Sequence, residues 1–385
     1  MNNFTYSIPT KIYFGKDQIS QLSELAESGS NVLLVYGGGS IKKSGIYDTA
    51  MKILKDAGLS VFELSGVEPN PRIESVRKGV EICRENNVDM VLCIGGGSVI
   101  DCGKVVAAGV CSEEDPWELV LHPRKIRRAL PIYSVLTLSA TGSEMDKFAV
   151  ISDLEKNEKW GTASDHMKPK MSIMDPEYTF SVPKRQTAAG TADIISHIFE
   201  NYFTNVKAAD VQARFAEGLL KTCFHYGPIA LENPEDYDAR ANLMWTSSMA
   251  INGLISDGAE VAWSVHPMEH ELSAFYDITH GEGLAILTPH WMKFALNEQT
   301  AYKFAEYGRN VWGIVSDDDM KVSKEAIQRT KDFFRDMGLP QTLSEVGIDR
   351  TYFGIMAEKA AAGSRGAFVE LKKEDILCIF ENALN

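Results

Sequence analysis

NVLLVYGGGS at residues 31–40 is echoed by DMVLCIGGGS at residues 89–98. In both, an apolar run of strand length stops at three glycines and a serine. A strand that stays apolar, with no in–out alternation, is one covered on both faces, as in a parallel sheet flanked by helices. Glycines let the backbone approach a ligand closely. A helix starting just after them offers unpaired N–H groups and the positive end of its dipole. A pyrophosphate suits such a place. One loop of this kind is most often a plain tight turn, but two in one half of a chain point to a dinucleotide. Neither loop is the GxGxxG fingerprint.

Outward from these joints, strands and helices alternate. Residues 4–15 predict one or two short strands and residues 17–28 a helix. Ile46, Ala50, Ile53 and Leu54 make the apolar face of another helix, followed by a strand at 60–64. Glu68-Pro69-Asn70-Pro71 is a rigid loop before a helix at 73–87. Ser98 is placed to cap a helix over 99–110. Strands follow at 132–136 and 172–174, with a hairpin of 148–152 and 159–162 between them. This alternation predicts βαβ units, hence a parallel sheet with helices on both faces. From Lys184 onward only helical periodicity is found, at 187–204, 207–225, 235–255, 259–275, 283–295, 299–314, 321–337 and 350–360. Gly227-Pro228, Asn233-Pro234 and Gly338-Leu339-Pro340 are the breakers. The expected organisation is an α/β domain over 1–180 and an all-α domain over 181–385.

The helical half carries a second signal. Asp193 and His197 are four apart, as are His266 and His270, and His280 stands at a helix-end signal, Gly281 and Gly283. Residues at i and i+4 share one helix face, so each pair can converge on a point. One carboxylate and two or three imidazoles form an N/O site for a first-row divalent metal such as zinc or iron(II). Spacing alone does not say which histidines bind. A cleft between the two halves is where a coenzyme and a metal-bound substrate would meet.

Composition sets bounds on these readings. A chain of 385 residues can build two domains and a large core. Its net charge of −14 excludes a general nucleic-acid or anionic-membrane partner, because phosphate would be repelled. The six cysteines form no CxxC pair and are expected to be reduced and structural, in a cytoplasmic protein. MNNFTYSIPTKIYFGKD shows no signal-peptide pattern, and no apolar run approaches the ~20 residues that span a bilayer.

YGGGSIKKSG (36–45), VEPNPR (67–72), IGGGSVIDCGK (94–104), TLSATGSEMD (137–146), DPEYTFSVP (175–183), TADIISHIFE (191–200) and the HPMEHELSAFYDITHGEG block (266–283) have a joint likeness. The chain resembles the iron-containing (group III) alcohol dehydrogenases, in the butanol dehydrogenase and NADPH-dependent aldehyde reductase branch. The resemblance implies a Rossmann-like α/β domain followed by a helical domain, the two-domain architecture of dehydroquinate synthase, often as a homodimer. It implies one Fe2+ or Zn2+ on Asp193, His197, His266 and His280, with His270 as the catalytic proton relay. It places the coenzyme on Gly95, Gly96, Gly97, Ser98 and Asp101, with Lys104 in the same motif. Asn70, Thr137, Ser143 and Lys159 would line the coenzyme site. Asp146 departs from the Asn common in this branch, which would add negative charge near the catalytic cleft.

NAD-preferring relatives often carry an Asp where this chain has Gly37, Gly38 and Gly39, followed by Ser40, Lys42 and Lys43. A neutral loop with ammonium groups nearby tolerates a 2′-phosphate, so NADP(H) is the expected coenzyme and NAD(H) the alternative. The expected reaction is hydride transfer between the coenzyme and a primary alcohol or aldehyde. The rivals are an NAD-linked glycerol or polyol dehydrogenase and a dehydroquinate synthase-like lyase. The lyase would need a Lys/Arg cluster beside the histidines, and none is present in the sequence there.

Overall fold

The computed structural model describes residues 1–385. The elements run β1 (Lys11–Phe14), β2 (Asn31–Tyr36), α1 (Ser40–Lys43), α2 (Ile46–Asp56), β3 (Ser60–Leu64), α3 (Ile73–Glu85), β4 (Met90–Gly95), α4 (Gly97–Val110), α5 (Pro116–Leu121), β5 (Ile132–Leu136), β6 (Phe148–Asp153), β7 (Glu158–Ala163) and β8 (Met171–Met174). Helices follow: α6 (Lys184–Tyr202), α7 (Asp210–Glu232), α8 (Tyr237–Met249), α9 (Val265–Tyr276), α10 (His280–Ala295), α11 (Ala301–Trp312), α12 (Asp319–Asp336), α13 (Phe353–Gly363) and α14 (Lys373–Ala383). The chain divides into two compact units. One comprises Ser7–Val182 and Pro234–Ser248; the other comprises Met1–Tyr6, Pro183–Asn233 and Met249–Asn385.

In the α/β unit six parallel strands form one sheet in the order β1-β8-β5-β4-β2-β3. Alternate residues of a strand face opposite sides. Leu33, Val35, Val91 and Cys93 pack with α3 and α4, whereas Val32, Leu34, Leu92 and Ile94 pack with α2 and the 3-10 segment Gln18–Glu27. Both layers are fully buried, which accounts for the unbroken apolar runs; each such side chain contributes about 1.5–3 kcal/mol. Because β2 and β4 are neighbours, their glycine loops emerge together at the carboxyl ends of the strands. In sheets of this kind ligands bind at that edge. β6 and β7 form a separate antiparallel hairpin.

The helical unit is built around α6, which is buried at every position from Thr187 to Tyr202 and packs against α7 and α10. A helix buried all round shows little amphipathic pattern. No helix is long and apolar enough to cross a membrane. All six cysteines are free; Cys83, Cys93, Cys102 and Cys223 are buried, and burial pushes the Cys83 and Cys102 thiols up to about 12.

Several expectations are corrected. Residues 4–10 form no strand. Gly96, not Ser98, is the N-cap of α4, and no side chain caps it. Gly227-Pro228 does not break a helix, because α7 runs through it to Glu232. A Cβ at Gly227 would stand 2.9 Å from Thr191 Cγ2, so this glycine serves close packing of α7 on α6. The helix expected over 235–255 ends at Met249, the one expected from 259 begins at Val265, and α14 had no counterpart in the sequence reading. Gly281 and Gly283 lie inside the first turn of α10, so His280 opens a helix. The cause is tertiary: a Cβ on Gly281 would fall 2.0 Å from the Ala189 carbonyl oxygen of α6. Helix α8 belongs with the α/β unit, through contacts such as Phe14 with Trp245 and Glu144 with Ser248.

Candidate active site

Asp193 and His197 sit one turn apart on α6, His266 near the start of α9 and His280 at the start of α10. Asp193 Oδ1 lies 3.6 Å from His197 Nε2, 3.8 Å from His266 Nε2 and 3.6 Å from His280 Nε2. Asp193, His197 and His266 are buried, and His280 is 23% exposed at its side chain. Asp193, His266 and His280 offer ligand atoms within 4.8 Å of one another; His197 is not in that tightest grouping.

Asp193 Oδ1, His266 Nε2 and His197 Nδ1 are buried without a hydrogen-bond partner. A polar atom left so costs about 1–3 kcal/mol. A carboxylate oxygen facing three imidazole nitrogens is a donor set for a divalent cation such as zinc or iron(II), and the residues fit one. Burial opposes ionisation of Asp193, but the surrounding imidazoles hold its carboxyl well below the usual range. Burial pushes His197 down to about 4. Burial also works against the His266 cation, yet Asp193 and Glu200 outweigh it and lift that ring to about 9. The His197 and His266 rings are stacked at 4.7 Å, so they do not carry charge together. A proton and a metal ion therefore compete for the same place beside Asp193.

Two carboxylates behind the histidines escaped the sequence reading. Glu200, two turns from Asp193 on α6, accepts the backbone N–H groups of Ser264, Val265 and His266 at 2.9, 2.7 and 2.8 Å. It thereby caps α9, and it also meets His266 Nδ1 at 3.2 Å. Glu269, fully buried on α9, meets His280 Nδ1 and accepts from Ser273 Oγ. Nothing in the sequence set either apart, since each shares its helix face with other polar residues, Asp193 and His197 for Glu200, His266 and Ser273 for Glu269. The His270 ring stands 5.7 Å from that of His280 and 6.3 Å from that of His266, partly exposed beside the set. The Trp263 ring covers His266 at 4.7 Å and His197 at 5.6 Å.

The remaining sequence candidates lie in the α/β unit. Gly37, Gly38 and Gly39 follow β2; Gly39 has φ 102° and Ser40 is exposed. Gly95, Gly96, Gly97 and Ser98 join β4 to the uncapped start of α4. Thr137 follows β5, and its N–H bonds the Gly95 carbonyl at 3.0 Å. Distant motifs meet here: Lys159 Nζ donates to Asn70 Oδ1 at 2.9 Å, and Ser143 Oγ donates to Asp101 Oδ1 at 2.6 Å. Asp101 Oδ2 also accepts the Val150 N–H at 2.9 Å. Burial raises the Asp101 carboxyl to about 6. Lys104, with no exposure, donates to Asp146 Oδ1 at 2.6 Å and to the Phe148 carbonyl at 2.8 Å. The Asp146 charge is therefore internal and paired. Lys42 Nζ is 3.9 Å from Glu63 Oε2 and lies over the Tyr47 and Tyr36 rings, and both tyrosine hydroxyls donate to Glu63.

Comparison with known proteins gives the family of the chain. Residues 9–176 match the family described as iron-containing alcohol dehydrogenase, and residues 187–384 match the C-terminal domain of the Fe-containing alcohol dehydrogenase family. The NADH-dependent butanol dehydrogenase A of Clostridium acetobutylicum is 58% identical over 388 residues, covering all of both chains. The NADPH-dependent aldehyde reductase of Escherichia coli is 40% identical over 93% of each. The crystal structure of NADH-dependent butanol dehydrogenase A from Thermotoga maritima superposes with a TM-score of 0.95 at 37% identity, covering 100% of this chain and 99% of that one. Such relatives do not favour the lyase alternative. With matches spanning both its units, this chain belongs to the iron-containing alcohol dehydrogenase family and is an alcohol–aldehyde oxidoreductase.

Proposed function

We propose that the chain interconverts short primary alcohols and aldehydes, using a nicotinamide coenzyme and one divalent ion held by Asp193, His197, His266 and His280. The observation that carries this is the set of three imidazole Nε2 atoms at 3.6–3.8 Å around Asp193 Oδ1. When bound, the ion supplies Lewis acidity toward the substrate oxygen, and the nicotinamide gives or takes the hydride. The protein does the rest. Glu200 orients the His266 imidazole through its Nδ1 atom. His270, partly exposed beside the set, passes the proton between substrate oxygen and solvent. Trp263 shields the set from water on one side.

The α/β unit is the dinucleotide-binding unit in this reading, and the helical unit the metal-binding one. The first-turn N–H groups of α4, left uncapped behind Gly95–Gly97, take the pyrophosphate. Asp101 and Lys159 serve the site by fixing Ser143 and Asn70.

The neutral loop Gly37–Ser40 admits the 2′-phosphate of NADP(H), and Lys43 beside it is exposed. A second reading, NAD(H), is favoured by the clamping of Lys42 onto Glu63, which commits the nearer ammonium group. It is favoured too by the relatives named NADH-dependent butanol dehydrogenases. The assembly we propose is a homodimer in the cytoplasm.

The test is a panel of aldehydes and alcohols, followed at 340 nm with NADPH and NADH, after metal stripping and reconstitution with Fe(II) or Zn(II). Turnover should return only with metal. A kcat/KM for NADPH at or below that for NADH removes the NADP(H) reading. His270→Ala should retain metal and lose on the order of 100-fold in rate. His266→Ala with full metal and full turnover removes the proposed site.

A further inference from the structure

Glu269 is a buried carboxylate that the reaction itself does not call for. Its side chain has no exposure, and it lies between α9 and α10. Removing a carboxylate from water is costly unless hydrogen bonds or charge offset it. Two groups do so here: Ser273 Oγ, one turn further along α9, and His280 Nδ1, the first residue of α10. The neighbouring backbone is shaped to admit it. A Cβ on Gly283 would stand 2.8 Å from Glu269 Cγ and 3.2 Å from its Oε1. The glycine one turn into α10 thus makes room for this acid beside His280. Glu269, His270 and His280 also bring their ligand atoms within 4.8 Å of one another.

We propose that Glu269 is a positioning residue for the metal centre: it fixes the His280 ring with Nδ1 turned inward, so that Nε2 faces Asp193. It acts through His280 and touches neither substrate nor coenzyme. Of the four proposed ligands, His280 is the most exposed and stands at a helix terminus, so its ring has the most freedom to lose. Anchoring it lowers the entropic cost of gathering the donors. A carboxylate partner also raises imidazole basicity, and removing such a partner typically weakens metal binding about 10- to 100-fold.

This inference rests on the metal site proposed above. It is tested on the full-length chain reconstituted with Zn(II), by chelator competition for Kd and by thermal unfolding of the stripped protein. Glu269→Gln keeps the shape and removes the charge; Glu269→Ala removes the anchor. Both should release zinc more readily, Glu269→Ala by about 10- to 100-fold and Glu269→Gln by less, and Glu269→Asp should recover part of the loss. The stripped Gln variant should unfold no lower than the stripped parent. Parent-like zinc affinity in both variants overturns the role of Glu269 while leaving the metal site standing. A parent chain that binds no zinc or iron overturns both. A lower unfolding temperature in stripped Glu269→Gln with unchanged affinity shows a purely structural acid and also overturns it.

Discussion

Glu144 is a residue whose burial makes stability depend on pH. It is fully buried in the α/β unit, accepts from Ser248 Oγ, and leaves Oε2 without a partner. Burial raises its carboxyl from 4.5 to about 7. The folded chain therefore holds a proton that the unfolded chain gives up. That contribution to stability is complete below about pH 4.5 and is lost as the pH rises through about 7. Ionised Glu144 costs on the order of 3 kcal/mol at the alkaline end of this window. Glu144→Gln should flatten the stability profile between about pH 5 and pH 8 and gain most at the upper end. Urea midpoints across that range check this; parallel profiles for parent and variant would falsify it. Such an acid looks like any other in a sequence, because what shifts it is its burial in the folded chain. The same limit hid Glu200 and Glu269, whereas Asp193, His197 and His266 were visible through their one-turn spacing.

At the scale of elements, the joint between α6 and α10 governs the site. Gly281 lets the start of α10 lie against the Ala189 carbonyl, and His280 is the residue just before it. Gly281→Ala forces the two helices apart. The expected cost is about 1–3 kcal/mol, as for other overpacked contacts, with a loss of metal content that exceeds the loss of fold. Thermal unfolding and metal analysis on the same sample check both parts. This joint also shows why strands were easier to place than helix ends. β2, β3 and β5 were found residue for residue. For β2 the cause is an apolar run that stops at glycines and so marks its own limit, while β3 and β5 are short β-rich stretches that each carry a polar residue inside. Gly227-Pro228 and Gly281 carry the chemistry of breakers, but a neighbouring helix had already claimed them for close contact.

For the molecule as a whole, the chemistry divides by unit: the clustered His197, His266, His270 and His280 in the helical unit, glycine loops in the α/β unit. Both chemistries were legible in order along the chain. The return of residues 234–248 to the α/β unit was not, since a helix shows by its period that it exists but not which sheet it lies against. Ligand linkage follows the division. A metal ion present at about 100 times its Kd adds about 2.7 kcal/mol to the state that binds it. Stripping it should loosen amide protection in α6, α9 and α10 and leave β2, β4 and β5 unchanged, as read by hydrogen exchange. Equal loosening in the strands would contradict this assignment of the centre.

The Lys104–Asp146 pair has a practical consequence for chimeras. Its ammonium is sealed from water, with Asp146 and the Phe148 carbonyl holding it. Grafting the 137–148 segment from a homologue with Asn at this position would remove the carboxylate that bonds this ammonium, leaving it the carbonyl at position 148 and the nearby charge of Asp101. The lysine and its counter-ion are 42 positions apart, so a graft of one segment alters the surroundings of the other.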